Sequence, residues 1–358
     1  MTITIKEVAR EAGVSVATVS RVFSGKGPVR EETRQRVLDV AGRLQYVPHA
    51  GARGLITNTT GALGVLLPDL YGEFFSEVIR GIDLTARRSG FHLLVSSSHS
   101  DRSEVEAVLR ALWGRVDGLI VMSPEADAQA LQANLPASLP VVLLNCRVEG
   151  SAFSSINIDN YGGALAMTRH LLSLGHRRIA FVQGALGNQD ALERLRGYRD
   201  AMRTYGGERS EDLEIAGDFS EESGHRAGGA LLALSPRPTA AFAANDAMAV
   251  GLLSALQEAG VRVPGDIAVV GFDDIPVVRF LTPPLTTVRV GIAELGALAL
   301  ERLLAAVEEG DGFERQHEVQ PTTLMIRGSC GAGAPAGGED SDSEGTASND
   351  LHPRRWVR

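Results

Sequence analysis

The sequence predicts a small all-α headpiece with a helix-turn-helix, followed by an α/β body of two doubly wound parallel-sheet subdomains. Three observations lead to this fold class. Residues 4–23 hold two short helical patterns joined by a tight turn, and from residue 61 onward short apolar strands alternate with amphipathic helices. At 358 residues the chain also exceeds the usual size of a single domain.

The first helix of the headpiece begins at Thr4. Glu7 follows three residues later, and this spacing predicts a capping box in which each side chain can bond the backbone of the other. Ile5, Val8 and Ala9 then recur at helical spacing. We therefore expect a short helix that packs through one apolar face.

The second helix follows a turn at Gly13, which tolerates the positive φ of such a turn. Ser15 can cap this helix, and Val19 and Val22 form its buried side. The opposite side carries residues that can approach base edges: Ala17, Thr18, Ser20 and Arg21. The pattern is typical of a helix-turn-helix and predicts sequence-specific DNA binding. A helical hairpin that only packs is the alternative.

A resemblance to a known family rests on this same stretch. The segment GVSVATVSRV is specific to the LacI/GalR family of bacterial transcriptional regulators, and residues 2–60 resemble the headpiece of these repressors. The similarity continues to about residue 328. The resemblance implies a periplasmic-binding-protein-like body, a homodimer and a small-molecule effector that controls the affinity for a near-palindromic operator.

A third helix is predicted from Glu31 to Leu44. Its side facing the first two helices should carry Val37, Leu38, Ala41 and Leu44. Family members usually place a small hydroxyl residue at its cap. Arg30 stands there in this chain, which should cost about 1 kcal/mol of capping.

Residues 49–60 have helical spacing but contain Gly51 and Gly54, which are poor helix formers. On composition alone the segment is a flexible linker. The resemblance implies a hinge helix that forms only on operator DNA and inserts Leu55 into the minor groove. We expect a linker in the free protein and a helix in the complex.

The body contains two strand–helix series. Predicted strands of the first series are Leu63–Leu67, His92–Ser96, Gly118–Met122 and Val141–Leu144, and the second series runs from Ile156–Ile158 to Ile267–Val270. Nearly all-apolar strands of this kind indicate parallel sheets covered on both faces. A ligand cleft is expected where the carboxyl ends of the two sheets face each other.

These patterns divide the chain into four parts: a DNA-binding domain (1–48), a hinge (49–60), an effector-binding and dimerisation body (61–330) and a tail (331–358). We assign residues 61–159 and 290–318 to one subdomain, and 160–289 and 319–330 to the other. The tail is rich in Gly, Ala, Ser and acids, which predicts disorder. It lacks the leucine heptads that tetrameric relatives use.

The charge is distributed unevenly along the chain. Residues 1–60 hold nine Lys/Arg and five Asp/Glu, which gives them a net charge of +4. The whole chain has a net charge of −9, so the remaining residues have a net charge of −13. This asymmetry directs the headpiece toward phosphate and keeps the body away from the duplex. A headpiece of +4 is only modestly basic, and we therefore expect tight binding to require a dimer.

Operator contacts are predicted mainly on the second helix. By family position, Val16 and Ala17 select bases, and because both are apolar they would read shape and thymine methyl groups. Arg21 is the expected contact to guanine or phosphate. Phosphate or sugar contacts are assigned to Ser15, Thr18 and Ser20. The hinge adds Arg53 and Leu55 to this set.

Candidate effector contacts lie at strand ends and helix starts. They are Asp69, Glu73, Phe74, Phe75, Asp159, Asp190, Arg194, Phe219, Asn245 and Asp273. By family position, Arg194 and Asp273 bind the effector; a surface ion pair of Asp190 with Arg194, at i and i+4, is the alternative. Many relatives have Asn-Pro where this chain has Gly72-Glu73, so this wall of the pocket is unusual.

This set of residues suits a polyhydroxylated neutral ligand. The carboxylates can accept hydrogen bonds from hydroxyl groups, the arginine and the asparagine can donate them, and the aromatic rings can cover C–H faces. A sugar or sugar derivative is therefore predicted, with a nucleobase as the alternative. The predicted function is a repressor of carbohydrate-utilisation genes. A solute-binding protein of a transporter is the alternative from another class.

Other functional classes find little support. The Gly184–Gly187 segment lacks the features of a phosphate loop or a dinucleotide fingerprint, and no catalytic or metal-ligand pattern stands out, so we expect neither an enzyme nor a cofactor. Cys146 and Cys330 are expected to be reduced thiols. Without an export leader or a membrane-spanning run, the predicted location is the cytoplasm.

Overall fold

The computed structural model describes residues 3–24, 27–46, 59–99, 101–123, 128–146 and 153–332. The predicted hinge helix with Arg53 and Leu55 and nearly all of the predicted tail lie outside these residues. In the described part, no helix is long and apolar enough to cross a membrane. Cys146 and Cys330 are buried, and neither forms a disulfide.

The headpiece is formed by α1 (Ile5–Ala12), α2 (Val16–Ser24) and α3 (Glu31–Arg43). The capping box at the start of α1 is confirmed, with the Thr4 backbone N–H donating to the Glu7 carboxylate at 2.7 Å. Gly13 ends α1 with a φ of 65°. The core consists of Val8, Ala9, Ala12, Val19, Val22, Val37, Val40 and Ala41.

One expectation for α3 is wrong. Leu38 is 41% exposed, whereas Val40 is buried at 6%. Three residues of α3 face the other two helices. Because successive residues of a helix are rotated by about 100°, Leu38 lies outside this buried side. Arg30 precedes α3 without a side-chain capping bond, as expected from its lack of an acceptor.

The first half of the body is built on a six-stranded parallel sheet. Its strands are β1 (Ala62–Leu67), β2 (His92–Ser97), β3 (Leu119–Val121), β4 (Val141–Leu144), β5 (Ser154–Ile158) and β11 (His317–Gln320). They lie in the order β11-β5-β4-β3-β1-β2. The sequence analysis counted Ile156–Ile158 with the second series of strands, although it assigned residues up to 159 to the first subdomain; in the structure β5 pairs with β4 and β11 of the first half.

Helices cover both faces of this sheet. On one face of the sheet, α4 (Glu73–Arg88) and α11 (Ile292–Glu309) pack on Val65 and the other apolar side chains of that face. On the other face, α5 (Arg102–Leu112) and α6 (Ala128–Asn134) pack on Leu66. The helices α4 and α11 approach closely at Gly81, where a Cβ would come within 1.9 Å of the Ala293 carbonyl oxygen. A larger residue at Gly81 would therefore separate these helices.

The second half is built on a four-stranded parallel sheet in the order β7-β6-β8-β9. Its strands are β6 (Ile179–Val182), β7 (Glu214–Ile215), β8 (Ala240–Ala243) and β9 (Ala268–Val270), and its helices are α7 (Asn160–Ser173), α8 (Gln189–Thr204), α9 (Glu221–Ala233) and α10 (Asp246–Glu258). Phe181 stacks on Tyr198 of α8 at 4.9 Å between ring centroids. The strands are short and almost entirely apolar, as predicted.

The chain crosses between the halves three times: after β5, after β10 (Thr287–Arg289) and after β11. The strand β10 pairs antiparallel with β12 (Thr323–Met325). The sequence analysis ended at Val270 and did not identify α11, β10, β11 or β12. The strand β11 also spans the expected subdomain boundary near residue 318, because a boundary placed by composition does not see sheet pairing.

Candidate functional site

The exposed side of α2 carries the residues predicted to contact DNA. Val16 is 41% exposed, and Ala17 and Arg21 are also exposed. Val19 and Val22 hold the opposite side in the headpiece core. Because α2 packs through Val19, Val22 and the half-buried Phe23, its N-terminal half is left to present small side chains to a groove surface.

Ser15 and Thr18 are engaged with each other at the start of α2. The Ser15 hydroxyl accepts from the Thr18 backbone N–H at 3.1 Å and lies 2.9 Å from the Thr18 hydroxyl. The predicted cap is therefore present. Ser20 is half-buried on the same helix. The DNA contacts assigned to these residues stay predictions.

The cleft of the body lies where the carboxyl ends of the two sheets meet. Asn145, which follows β4 in the first half, donates a short hydrogen bond to the carboxylate of Asp190 at the start of α8 in the second half. Asn160 donates to the other oxygen of Asp190 at 2.9 Å. These contacts place Asp190 directly at the junction of the two halves.

Arg194 is the centre of the polar network. Only 4% exposed, it donates through Nε to Asn160 at 2.8 Å and through Nη1 to the Ala244 carbonyl oxygen at 2.6 Å. Its guanidinium lies 3.8 Å from the centroid of the Phe272 ring. Asp190 and Arg194 share Asn160 as a partner, so the alternative of an ordinary surface ion pair does not describe them.

Asp273 follows β9 and faces Arg194 within the second half. Its Oδ1 lies 3.3 Å from Nη2 of Arg194, yet among the described residues it is the one buried side-chain polar atom without a hydrogen bond of normal geometry. Burial raises the pKa of Asp273 to about 7, with Arg194 opposing the shift and Asp190 adding to it. A buried carboxylate oxygen with spare accepting capacity suits a ligand that donates a hydrogen bond.

Backbone strain is concentrated at the same place. Asn145, Phe219, Asp273 and Asp274 have φ values of 51°, 76°, 115° and 60°, in the left-handed region that L-residues rarely occupy. Such conformations persist where the surrounding structure fixes them, and they cluster at functional sites. All four residues follow strands or open helices that border the cleft.

Several predicted residues serve the fold in this structure. Asp159 caps α7 by accepting from the Gly162 N–H at 2.8 Å, and Asn245 caps α10 in the same way. Asp69 is exposed and accepts from the two N–H groups that follow it. A carboxylate or amide just before a helix can be a cap or a ligand contact, and the sequence does not distinguish the two.

The aromatic candidates are half-buried. Phe74 and Phe75 contact each other edge to face at 5.5 Å, and Phe219 lies 5.8 Å from the Arg194 guanidinium. Glu73 is exposed, and its carboxylate accepts from the backbone N–H of Val277 at 3.0 Å. The sequence analysis missed Asn145, although an asparagine directly after an apolar strand is a signal that could have found it.

The pKa of Asp273 predicts a specific pH dependence. The folded state holds a proton on this carboxyl up to about pH 7, whereas an unfolded aspartate loses it near pH 4. The stabilising contribution is therefore complete below about pH 4 and is lost as the pH rises through 7, by at most roughly 1.4 kcal/mol per pH unit. Asp273→Asn should remove this slope in urea unfolding measured from pH 5 to 8. An unchanged slope would show that Asp273 does not titrate in this range.

Fold and site together define a two-part protein: a helix-turn-helix headpiece and a periplasmic-binding-protein-like body with a polar cleft between two α/β halves. Residues 4–49 match the family described as bacterial regulatory proteins, lacI family. Residues 168–330 match the periplasmic binding protein-like domain.

Similar proteins agree with this assignment over almost the whole chain. It is 37% identical to the HTH-type transcriptional repressor PurR of Photobacterium profundum over 326 residues, which are 90% of this chain and 97% of that protein. Identity to the ribose operon repressor of Escherichia coli is 37% over 333 residues, 91% and 99% of the two chains. The Lac repressor dimer bound to operator and the anti-inducer ONPF superposes with a TM-score of 0.81 at 30% identity, covering 92% and 99%.

The chain belongs to the LacI family of bacterial regulatory proteins. It is a transcriptional regulator whose headpiece and body have the fold predicted from the sequence.

Proposed function

We propose that this regulator is a homodimeric repressor of carbohydrate-utilisation genes, and that a sugar-like effector bound in the cleft controls its operator affinity. The observation that carries the proposal is the buried network of Asn145, Asp190, Asn160, Arg194 and Asp273, which joins the two halves. Asn145 belongs to the first half and the other four residues to the second, so a ligand that bonds to Asn145 and to any of the others contacts both halves at once. Ligand binding and the relative position of the halves are therefore coupled.

The charge and donor pattern of the network support a neutral polyhydroxylated ligand. Asp273 lies 3.3 Å from the Arg194 guanidinium and Asp190 lies close enough to raise the pKa of Asp273, so the network has no excess positive charge to attract an anion. Hydroxyl groups of a sugar can donate to the spare oxygen of Asp273 and accept from Arg194 or an asparagine. The name of the ribose operon repressor points to the same class of regulated genes.

A nucleobase is the second candidate. The centroid of the Phe272 ring lies 3.8 Å from the Arg194 guanidinium, and the centroid of the Phe219 ring lies 5.8 Å from the same group. Flat aromatic surfaces next to a guanidinium and a carboxylate would also hold a planar base that offers N–H donors. The choice between the two classes is left to the binding experiment below.

The mechanism follows from the three crossovers between the halves. An effector that changes the relative position of the halves also changes the separation of the two 49–60 segments in a dimer. The Lac repressor dimer bound to its operator is the precedent for this arrangement. Segments that cannot meet cannot form paired hinge helices, and Leu55 then loses its place in the minor groove. Coupling of about 1–3 kcal/mol, or roughly 5–150-fold in affinity, is the usual scale.

At the operator, α2 of each headpiece would lie in the major groove of a near-palindromic site. Val16 and Ala17 would contact thymine methyl groups, and Arg21 a guanine or phosphate. Arg53 and Leu55 would act at the centre of the site. The same proposal places the protein in the cytoplasm and assigns it no catalytic turnover, so a bound ligand should be recovered chemically unchanged by mass spectrometry.

The test begins with operator selection from a randomised duplex library, followed by fluorescence anisotropy at physiological salt. D-Ribose, D-glucose, hypoxanthine and guanine are then titrated as named probes of the two ligand classes. The proposal expects a palindromic selected site and a change in Kd of roughly 5–150-fold with a sugar. A response to the bases alone would favour the second candidate. A monomeric protein, or one without preference for a palindrome over random duplex, would contradict the proposal.

A further inference from the structure

Among the residues that the structure describes, two hydrogen bonds join the cleft faces of the two halves, and the effector network contains only one of them. Asn145 to Asp190 is part of that network. The other joins the Glu73 carboxylate at the start of α4 to the backbone N–H of Val277, at 3.0 Å. Val277 lies in the short 3₁₀ helix Pro276–Arg279, which follows β9 in the second half.

The two contacts lie at matching places on the two sheets. Glu73 follows β1 and Asn145 follows β4, with β3 between these strands. On the opposite side, β9 and β6 are separated by β8. Neighbouring strands are about 4.8 Å apart, so the strands that precede the two contacts are roughly 10 Å apart in each sheet. Together with the three chain crossovers, two separate contacts restrict both the opening and the twist of the halves more than one contact would.

The acceptor and the donor are both held in place by their own half. Pro276 has no N–H, and the N–H of Val277 in the first turn of its helix has no intrahelical partner, so it is available to an outside acceptor. The adjacent Ile275 N–H donates to the buried Asp246 carboxylate at 3.0 Å, and Thr287 donates to the same group at 2.6 Å. The Val277 amide is thereby fixed to the second half.

On the other side, Gly72 has a φ of 94°, a conformation that favours glycine, and its carbonyl oxygen accepts from the Ser76 N–H at 3.2 Å. This turn places Glu73 in the first turn of α4, where a carboxylate is stabilised by the helix dipole. The contact therefore depends on Gly72 for the turn and on the Glu73 carboxylate as the acceptor.

We propose that Glu73 is a positioning residue that fixes the relative orientation of the two halves through its bond to the Val277 N–H. The role rests on the proposed effector cleft, but it does not depend on the identity of the effector. Holding the halves in this orientation lowers the cost of ordering them around a ligand.

The test is peptide-resolved amide hydrogen exchange on the full chain without added ligand. Glu73→Ala should speed exchange of the segment that contains Val277 by about fivefold, the size expected for one partly exposed hydrogen bond. Glu73→Gln keeps an uncharged acceptor oxygen and should restore part of the protection. Glu77→Ala is the matched control, because that carboxylate bonds Arg80 on its own helix at 2.5 Å.

Equal exchange at Val277 in Glu73→Ala and in the parent would overturn the proposal. If Glu73→Ala instead accelerates exchange in β6 and β8 as well, the variant is globally destabilised and Glu73→Gln decides: intermediate protection confined to the Val277 segment supports the role, and parent-like protection contradicts it. None of these measurements uses DNA or an effector. A negative result in the operator experiment would therefore not change the interpretation of the hydrogen-exchange data.

Discussion

Replacing Arg194 by alanine is expected to lower the free energy of unfolding by about 3 kcal/mol at pH 8. The guanidinium is 4% exposed, and its removal leaves the Asn160 and Ala244 oxygens without their donor and Asp273 without its counter-charge. Unpaired buried polar groups and charges account for most large mutational effects. Urea unfolding at fixed pH measures the change.

The loss should be smaller at pH 6 than at pH 8. With a pKa of about 7, Asp273 is largely protonated at pH 6 and has less need of a cation. The double variant Arg194→Ala/Asp273→Asn should therefore lose less than the sum of the two single variants, since both residues belong to one pair. Additive losses would mean that Arg194 and Asp273 do not interact.

Arg203→Ala provides the matched control. Arg203 lies in the last turn of α8, its side chain is 64% exposed, and it pairs with Asp200 at 2.8 Å. An ion pair at the protein surface contributes at most about 1 kcal/mol, so the free energy of unfolding should change little. A comparable loss in both variants would indicate damage to α8 and not to the polar network.

Replacing Ala17 by aspartate is the second large effect, and it acts on DNA binding. We expect at least about a 100-fold loss of affinity for the selected operator, because a carboxylate would be brought against phosphates and base-edge acceptors. Ala17 is exposed on α2, so the headpiece core of Val8, Val19 and Val37 should remain intact. Fluorescence anisotropy at physiological salt gives the affinity.

The control is the same substitution far from the headpiece. Ala230→Asp places an equal charge on an exposed position of α9 in the body. Its operator affinity should stay within about twofold of the parent, while its effect on total charge is identical to that of Ala17→Asp. Operator binding that survives Ala17→Asp would exclude α2 as the helix in the major groove.

Local patterns were sufficient for most of the fold. The Thr4–Glu7 capping box, the turn at Gly13 and the buried valines of the headpiece are all where the spacing predicts them. Apolar strands such as β1 and β6 were also found, because short runs of Leu, Ile and Val at regular intervals have few other uses in a soluble chain. Each of these features depends on residues that are near neighbours in sequence.

Features that depend on long-range pairing were less accessible. The strand β5 looked like the start of a new series, but its partners are β4 and β11, the latter more than 150 residues away. The strands β10 and β12 are short and carry polar residues, which weakens the periodic signal. The position of such a strand in the fold is decided by the sheet edge with which it pairs.

The candidate site divides along the same line. Arg194 and Asp273 were identified from the sequence through family position, and the structure brings them within 3.3 Å. Asp159 and Asn245 were selected because they lie between a strand end and a helix start, and in the structure their side chains cap α7 and α10. Asn145 was not selected, because its role requires contact with Asp190 in the opposite half.

By itself, the sequence determined the headpiece, the alternation of strands and helices, and the residue types available to a cleft, since propensity, capping and periodicity act over a few residues. Only the tertiary structure decided which strands share a sheet, which carboxylates cap helices, and which side chains meet across the cleft. Those outcomes depend on contacts between segments that are distant in the chain, and no local pattern records them.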